Sequence, residues 1–286
     1  MRPTTAADVA SAAQLACLLE ASAPKPGNVA PPQRTHFHDT RYEHFLASAA
    51  AIGPALLLAR RRPLGATIRA ACDATARWTR TNTNLGIVLL LAPLARAALD
   101  ARGGSLRARL ARVLRRTTVR DAADVYAAIR VVRPAGLGRA GAQDVAATPT
   151  RALRAVMSLA AHRDGVAREY ATDYATTFEL GVPALARARR DGLSWDDAIV
   201  ETYLTLLAAA PDTHITRKLG EAAAADVSRR SRAVLDAGGV RSAGGRRRTA
   251  AFDRALRDAA NSRNPGTTAD LTAAAIFAVL LDGGWS

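Results

Sequence analysis

Apolar residues recur at helical spacing through most of the chain, and this periodicity constrains the fold more than any other feature. Glycine and proline interrupt the pattern, alanine dominates, and aromatic residues make up only 5% of the sequence. Alanine and leucine favour helices, whereas strands favour β-branched and aromatic side chains. No segment alternates convincingly between apolar and polar residues. The sequence therefore predicts an all-α protein, with residues 1–286 forming a single compact domain of about ten to twelve helices.

Glycine, proline and capping residues predict where each helix begins and ends. A capping pair, Ser194 with Asp197, opens one helix, and the glycine-rich segment 134–148 is predicted to be a loop or mobile lid. The predicted helices cover residues 6–21, about 40–60, 64–80, 85–101, 106–116, 122–132, 150–161, 165–180, 194–210, 213–237, 247–260 and 268–281.

The net charge of +15 raises the question of nucleic-acid binding. Arginine clusters occur at 60–62, 107–116 and 246–248, but no aromatic residues alternate with them and no zinc-ligand spacing is present. Every apolar run, such as 87–92, is far shorter than the ~20 residues that span a bilayer, and the N-terminus lacks a secretory pattern. We therefore expect a cytoplasmic protein that binds neither nucleic acid nor membrane, and whose charge suits an anionic substrate such as a nucleotide.

Lysine and asparagine are confined to a few short polar segments. Lys25 and Lys218 are the two lysines among 40 basic residues, and the asparagines fall at 28, 82, 84, 261 and 264. A lysine ammonium fits a tight pocket or donates to one phosphate oxygen, whereas arginine offers a planar fork. We interpret these segments, together with residues 212–218, as parts of one active site.

The segment Pro24-Lys25-Pro26-Gly27-Asn28 is predicted to bind phosphate. The prolines restrict the backbone around Lys25, and Gly27 permits a turn that other residues resist. The alternative is an ordinary proline-rich exit from the first helix. His38 and Asp39 have a spacing seen in metal sites and in helix starts, and are weaker candidates for a ligand or base.

Four consecutive polar residues, 81–84, directly precede the most apolar predicted helix. A helix N-terminus offers free N–H groups and the positive end of a dipole to phosphate. A simple N-cap needs only one polar side chain, so the run favours a binding site. The candidate residues are Asn82, Thr83, Asn84 and Gly86.

The segment 212–218 combines a carboxylate, an imidazole and two cations. One helical turn separates His214 from Lys218, so they share a face, and this grouping suits a charged ligand. The alternative is that Asp212 merely opens a helix, with solvated charges behind it. The candidate residues are Asp212, Thr213, His214, Arg217 and Lys218.

The start of the last predicted helix combines glycine, two hydroxyls and a carboxylate. Thr267 followed three residues later by Asp270 resembles a capping box, which is the structural alternative. Glycine and hydroxyls beside a helix start also form a cradle for phosphate or a metal–phosphate complex. The candidate residues are Asn264, Gly266, Thr267, Thr268 and Asp270.

Together these segments resemble the triphosphoribosyl-dephospho-CoA synthase family, which makes the precursor of the prosthetic group of citrate lyase and malonate decarboxylase. The family's PKPG matches Pro24 to Gly27, its H-x-D loosely matches His38-Asp39, and its N-T-x-x-G matches Asn82, Thr83 and Gly86. Its D-T/S-N-x-x-x-R matches Asp212, Thr213 and Arg217, and its PG-x-x-AD matches Pro265, Gly266, Ala269 and Asp270. The resemblance covers the chain nearly end to end. It implies an all-helical fold, with ATP and 3′-dephospho-CoA as substrates and adenine released.

The chain departs from the family in two motifs. Asn84-Leu85 stands where the family has His-Lys, while His214 replaces an asparagine and Lys218 replaces a glycine. We hypothesise that the two motifs face each other and that the imidazole and the ammonium have exchanged supports. The segment 136–144 also matches poorly, which leaves a different acceptor open.

The resemblance implies transfer of a ribose carbon from adenine to an acceptor hydroxyl, through an oxocarbenium-like transition state. Cations and Mg²⁺ would hold the triphosphate, the candidates being Lys25, Arg217 and Lys218, with Asp212 or Asp270 on the metal. The candidates for the general base are Asp270, then Asp144 or Asp39. Those for a donor to adenine are His38, His214 or Asn82.

Two alternatives stay open. One is a related transferase or glycohydrolase with another acceptor, for example in the synthesis of one-carbon pterin coenzymes. The other is a protein that binds nucleotides without catalysing a reaction. The sequence does not determine the oligomeric state, and a homo-oligomer is compatible with it.

Overall fold

The computed structural model describes residues 5–31 and 40–285, and within these ranges every regular element is helical. The all-α prediction is confirmed, with fourteen α-helices in the described residues rather than ten to twelve. They are α1 Ala6–Ser22, α2 Tyr42–Leu57, α3 Leu64–Ala76, α4 Leu85–Ala98, α5 Leu106–Arg115, α6 Val119–Val132, α7 Leu153–Ala160, α8 Gly165–Ala171, α9 Val182–Arg190, α10 Trp195–Ala209, α11 Thr213–Leu219, α12 Glu221–Asp236, α13 Ala243–Leu256 and α14 Gly266–Leu281.

One predicted helix is divided in two and α9 was not predicted, which together account for the larger number. Gly220, with a φ of 86°, separates α11 from α12, so the single helix predicted over 213–237 was wrong. Asp173 and Tyr174 have φ angles of 51° and 60°, and this left-handed backbone ends α8 before a π-helical turn, Thr176–Gly181. Glu169 stabilises the new start, because its buried carboxylate accepts the N–H groups of Thr176 and Thr177 at 3.0 and 2.9 Å.

The last helix, α14, is the centre of the molecule. Nearly all of its residues from Thr267 to Leu281 are buried, and it packs against α1, α4 and α10. A helix that is apolar on every side belongs inside a protein core. Among the described residues, no helix combines the length and the apolar character needed to cross a membrane.

A proline lies inside the buried helix α4. Pro93 has no N–H, so the carbonyl of Leu89 loses its partner in the helix. The Tyr170 hydroxyl replaces that partner by donating to the Leu89 oxygen at 2.6 Å. α4 therefore continues past Pro93 and is fixed to α8.

Candidate functional site

A cavity of about 1160 Å³ lies where the N-terminal ends of α4, α8, α11 and α14 meet the loop between α6 and α7. Ligand pockets usually measure roughly 300–1,000 Å³, so this one has room for two substrates. Residues from distant parts of the sequence share its wall. The predicted site residues that line it are Asn82, Gly86, Asp144, His214, Arg217, Thr267 and Asp270.

Asp212 joins the starts of α11 and α14. One carboxylate oxygen accepts the backbone N–H groups of His214 and Ile215 at 2.8 and 3.1 Å. The other accepts the N–H and the hydroxyl of Thr268, both at 2.7 Å. A carboxylate has about four acceptor sites, and these four donors fill them. Asp212 therefore shapes the cavity rather than binding a metal, contrary to the role expected for it.

The same two helix starts also contact α8. The Thr213 and Thr267 hydroxyls are hydrogen-bonded at 3.0 Å, and Thr213 accepts the N–H of Gly165 at 3.1 Å. A methyl group on Gly165 would lie 2.7 Å from the Thr267 side chain, which shows how closely the elements approach. Three segments far apart in sequence are thus held together at one end of the cavity.

Asp270 presents its carboxylate to this end of the cavity. It lies against Gly86, where an added methyl group would overlap with the carboxylate oxygens. Within the described residues no hydrogen bond or ion pair reaches those oxygens. Burial, together with the charges of Glu20, Asp212 and Asp164, raises the pKa of Asp270 well above its usual range. A basic, unpartnered carboxylate in a cavity is suited to accept a proton.

The capping-box interpretation of Asp270 was wrong. α14 begins after Pro265, and no side chain caps it from that position. Asp212 from α11 instead accepts the free N–H of Thr268. Because this cap comes from another helix, Asp270 is left to face the cavity.

His214 contributes a neutral imidazole. Burial, together with the nearby charges of Lys218 and Arg217, lowers its pKa to about 3. Its Nδ1 lies against Gly266, where an added methyl would be only 2.8 Å away, and its Nε2 has no partner in the described structure. An imidazole that stays neutral near pH 7 offers a hydrogen bond rather than a proton.

Arg217 is paired with Asp164, which the sequence analysis missed. Its guanidinium lies 2.7 Å from the Asp164 carboxylate, and both residues line the cavity. Asp164 also caps α8, since it accepts the N–H of Ala167 at 2.9 Å. An aspartate followed by Gly165 at a helix start is a signal in the sequence, but it indicates a cap and not the cavity.

Lys25 does not line the cavity. It is fully buried and forms an ion pair with the buried Glu20 at 3.1 Å, while its ammonium also donates to the carbonyl oxygens of Glu20 and Ala23. Burial lowers the pKa of Lys25, and the Glu20 charge opposes that shift. The ammonium lies in a compact pocket, as expected, but its partner there is the carboxylate of Glu20 instead of a phosphate group. Glu20 also raises the pKa of Asp270, so the charge of this buried carboxylate acts on the cavity.

Several other candidates fix the backbone instead of lining the cavity. Thr83 is hydrogen-bonded to Ser48 at 2.6 Å, and Asn84 donates to the Thr75 hydroxyl at 3.2 Å. Gly27 has a φ of 70°, and its N–H donates to Asp253 at 2.8 Å. Asn28 and Asn264 are joined by a side-chain hydrogen bond at 3.1 Å.

The hypothesis that the segments 82–86 and 212–218 have exchanged an imidazole and an ammonium is compatible with the structure for the imidazole only. His214 and Leu85 line the same cavity, so the imidazole faces the motif that lacks it. Lys218 lies outside the cavity lining, and its ammonium donates to the carbonyl of Asn261 at 3.3 Å. Asn82 lies in the facing motif, and its side-chain oxygen accepts the first N–H of α4 at 3.1 Å.

Asp144 lies on the opposite wall, in the loop between α6 and α7. The loop predicted over 134–148 is confirmed, since no helix occurs between Val132 and Leu153. The backbone N–H groups of Ala140 and Ala146 donate to the Asp144 carboxylate and lower its pKa. Asp144 is therefore a weaker base than Asp270. His38 and Asp39, the remaining candidates, lie outside the described residues.

The described residues contain no group of three or more acidic, histidine or cysteine side chains placed to hold a metal ion. Mg²⁺ usually binds phosphate oxygens of a nucleotide together with one or two carboxylates. Asp164 and Asp270, both in the cavity wall, fit that smaller requirement. These two carboxylates suit a metal ion that binds together with a nucleotide better than a metal ion held by the protein alone.

Comparison with known sequences identifies the family. The sequence pattern of the ATP:dephospho-CoA triphosphoribosyl transferase family matches residues 6–286. The chain belongs to this family. The resemblance found in the sequence motifs is thereby confirmed.

Individual members of the family are also similar. A protein of Pseudomonas aeruginosa strain UCBPP-PA14, named probable 2-(5''-triphosphoribosyl)-3'-dephosphocoenzyme-A synthase, is 37% identical over 109 residues, which is 37% of this chain and 36% of the relative. A protein of the same name from Pseudomonas fluorescens strain Pf-5 is 31% identical over 42% of this chain and 40% of the relative. The chain thus matches little more than a third of the length of these relatives.

The fold has a counterpart among solved structures. The crystal structure of a candidate triphosphoribosyl-dephospho-CoA synthase from Archaeoglobus fulgidus aligns with a TM-score of 0.64 and 29% identity. The alignment covers 83% of this chain and 99% of that protein. The helical fold is therefore similar over nearly all of that protein.

Proposed function

We propose that the protein transfers the 5-triphosphoribosyl group of ATP to the 2′-hydroxyl of 3′-dephospho-CoA and releases adenine. The observation that carries the proposal is the unpartnered carboxylate of Asp270, set against Gly86 in a cavity large enough for two nucleotides. Membership of the transferase family supports the choice of substrates.

Asp270 is the proposed general base. The bond between the ATP ribose carbon and adenine breaks, the acceptor oxygen bonds to that carbon, and the acceptor proton passes to the Asp270 carboxylate. The raised pKa of Asp270 makes its ionised carboxylate a stronger base than an ordinary aspartate. Its negative charge also stabilises the positive charge that develops on the sugar. Adenine takes up one proton as it leaves, either from solvent or from the protonated Asp270, and this balances the proton lost by the acceptor hydroxyl.

Asn82 and His214 are the proposed contacts of the departing adenine. Both line the cavity beside Asp270, and both offer uncharged hydrogen-bonding groups. Because the pKa of His214 is about 3, this residue binds the base without protonating it. Arg217 and the Thr267 hydroxyl face the same end and are proposed to contact phosphate oxygens. Mg²⁺ bound to ATP would offset the charge of the triphosphate beside Asp164 and Asp270.

The test is adenine release by the purified full chain with ATP, Mg²⁺ and 3′-dephospho-CoA, together with the mass of the nucleotide product. We expect stoichiometric adenine and triphosphoribosyl-dephospho-CoA from the wild type, and neither from Asp270→Asn. Asp144→Asn, which changes a carboxylate on the opposite wall, is the matched control and should retain turnover.

The other outcomes distinguish the alternatives. Adenine release without an acceptor indicates a glycohydrolase, and release only with a pterin-type acceptor indicates a related transferase. ATP binding with no adenine under any condition indicates a non-catalytic binding protein. Each of these results would reject the proposed reaction.

A further inference from the structure

The cavity has two ends of opposite electrostatic character. Asp164 and Asp270 lie at the inner end with one guanidinium, that of Arg217, which is already paired. The mouth is lined by four arginines and one histidine, with Asp144 as the nearest carboxylate. These basic residues are Arg130, Arg133, Arg139, Arg163 and His162.

Three of the mouth arginines have no ion-pair partner within the described residues. We call Arg133, Arg139 and Arg163 the arginine rim. Arg139 and Arg163 act on Asp144 only through their charges, and no carboxylate of the described structure lies within ion-pair distance of any of the three. Arg130 differs, because its guanidinium donates to the carbonyl of Val145 at 2.6 Å and so holds the loop.

The backbone at the rim is unusual. Arg133 ends α6 with a φ of 50°, a left-handed conformation that residues other than glycine and asparagine seldom adopt. A left-handed residue commonly ends a helix, although that position is usually a glycine. Here the left-handed turn starts the loop that carries Arg139 across the cavity mouth.

Apolar side chains continue from the rim. Leu137 and Leu159 are 44% and 41% exposed, although both are large and apolar, and both line the cavity. Ile129, Val156 and Met157 extend this surface inwards. The mouth therefore presents positive charges beside an apolar wall, which suits an anion joined to a weakly polar chain.

We propose that the arginine rim binds the metal-free diphosphate of the acceptor and that the wall of Leu137 and Leu159 contacts the uncharged chain attached to it. This assignment rests on the proposed function, in which the acceptor is 3′-dephospho-CoA. The two substrates, which both carry phosphate groups, thereby bind at different ends of the cavity according to the charge of each end. ATP brings Mg²⁺ to the carboxylate end, whereas the acceptor diphosphate meets arginines without a metal. The acceptor's ribose hydroxyl then points inwards, towards Asp270.

The experiment compares the Kd of 3′-dephospho-CoA with the Kd of Mg²⁺-ATP, both measured by titration calorimetry on the full chain. Arg139→Ala/Arg163→Ala should weaken 3′-dephospho-CoA roughly 30-fold, since each charged contact contributes a factor of about ten or less at an exposed site. The Kd of Mg²⁺-ATP should change less than about twofold. The control is Arg247→Ala/Arg248→Ala, which removes the same charge from exposed positions of α13 outside the cavity.

Further variants test the apolar wall and replace the arginine pair if it does not fold. Leu159→Ser should weaken 3′-dephospho-CoA several-fold and leave Mg²⁺-ATP unchanged. If the arginine pair impairs folding, as judged by its thermal unfolding, Arg139→Gln/Arg163→Gln replaces it. The proposal also predicts that removal of Mg²⁺ weakens ATP but not 3′-dephospho-CoA.

Two results would overturn the assignment while leaving the proposed reaction intact. One is a selective loss of Mg²⁺-ATP binding in the arginine pair, which would place the triphosphate at the rim. The other is an equal, small effect of the rim and control pairs on both ligands, which would reduce the rim to a solvated surface. Failure of the wild type to release adenine would instead reject the reaction itself.

Discussion

Asp212, which caps α11, accepts both the N–H and the hydroxyl of Thr268 on α14, each at 2.7 Å, and this contact aligns the two helix starts at the inner end of the cavity. Burial raises the pKa of Asp212, while four hydrogen bonds oppose that shift. The buried carboxylate is tolerated because its acceptor sites are filled.

Asp212→Asn should destabilise the fold by roughly 2–4 kcal/mol, because the amide would direct N–H groups at N–H donors and leave buried groups unpaired. Urea unfolding followed by circular dichroism measures the change. Asp226→Asn, at an exposed ion pair with Arg229, is the control and should stay within about 0.5 kcal/mol of the wild type. A fully stable Asp212→Asn protein would contradict the assigned role.

Asp270→Asn should lower kcat roughly 10²–10⁴-fold and at the same time raise the thermal stability of the protein. The stability gain follows from the raised pKa of Asp270. Between its usual and its raised pKa, the folded state binds more protons than the unfolded state, so the free energy of unfolding falls as pH rises. The asparagine removes that fall, and each kcal/mol regained raises the Tm by roughly 2–4 °C.

The measurement for Asp270 is calorimetric Tm against pH for wild type and variant. The two curves should coincide near pH 3 and separate above pH 4, with the variant more stable. Parallel curves across the whole range would show that Asp270 is not perturbed in the fold.

Gly86→Ala should lower kcat by roughly a hundredfold while the protein remains folded. The added methyl would overlap with the Asp270 carboxylate and displace it, and a displacement of about 1 Å can cost two orders of magnitude. Gly103→Ala is the matched control, because nothing lies within 4 Å of its added methyl. Kinetics under saturating ATP and acceptor give the comparison, and equal kcat values for both variants would exclude close approach as the reason for Gly86.

Lys25→Met should destabilise the protein by roughly 3–5 kcal/mol, since Glu20 would remain buried without its ion-pair partner. The double variant Glu20→Gln/Lys25→Met should recover part of that loss. Lys25→Arg keeps the charge but overfills a fully enclosed site, at a cost of roughly 1–3 kcal/mol. Urea unfolding of the wild type, Glu20→Gln, Lys25→Met and the double variant forms a double-mutant cycle, and additive losses would show that Glu20 and Lys25 are not coupled.

His214 should not titrate between pH 5 and 8 in the folded protein, because its pKa is lowered to about 3. The unfolded chain binds more protons than the folded one between pH 3 and 6.5, so this residue adds stability as pH rises through that window. Nuclear magnetic resonance of the imidazole protons provides the measurement. An inflection near pH 6.5 assigned to His214 would contradict the buried, neutral imidazole.

Helical periodicity was sufficient to predict the fold class and most helix starts. α1, α3, α4 and α10 begin at or within one residue of the predicted positions, because glycine, proline and capping residues act locally. The end of α8 at Ala171, within the helix predicted over 165–180, and the π-helical turn that follows were not predictable in this way. Both depend on the buried carboxylate of Glu169, which accepts N–H groups only when the surrounding helices have formed.

The motifs named the correct segments, but the role of each residue depended on tertiary contacts. Thr83 and Asn84 were indistinguishable from Asn82 in sequence, yet Asn82 lines the cavity while its neighbours bind Ser48 and Thr75. Asp164 and Glu20 were missed because a cap before glycine and a carboxylate within a helix give no sign of a cavity. Their partners, Arg217 and Lys25, are known only from the packed helices.

The sequence by itself determined that the chain is all-α, that it carries the motifs of the transferase family, and that Asp270 opens the last helix. Only the tertiary structure decided that Asp270 faces a cavity instead of capping its own helix. Local propensities act over three or four residues, whereas the cap that frees Asp270 comes from Asp212, more than fifty residues away.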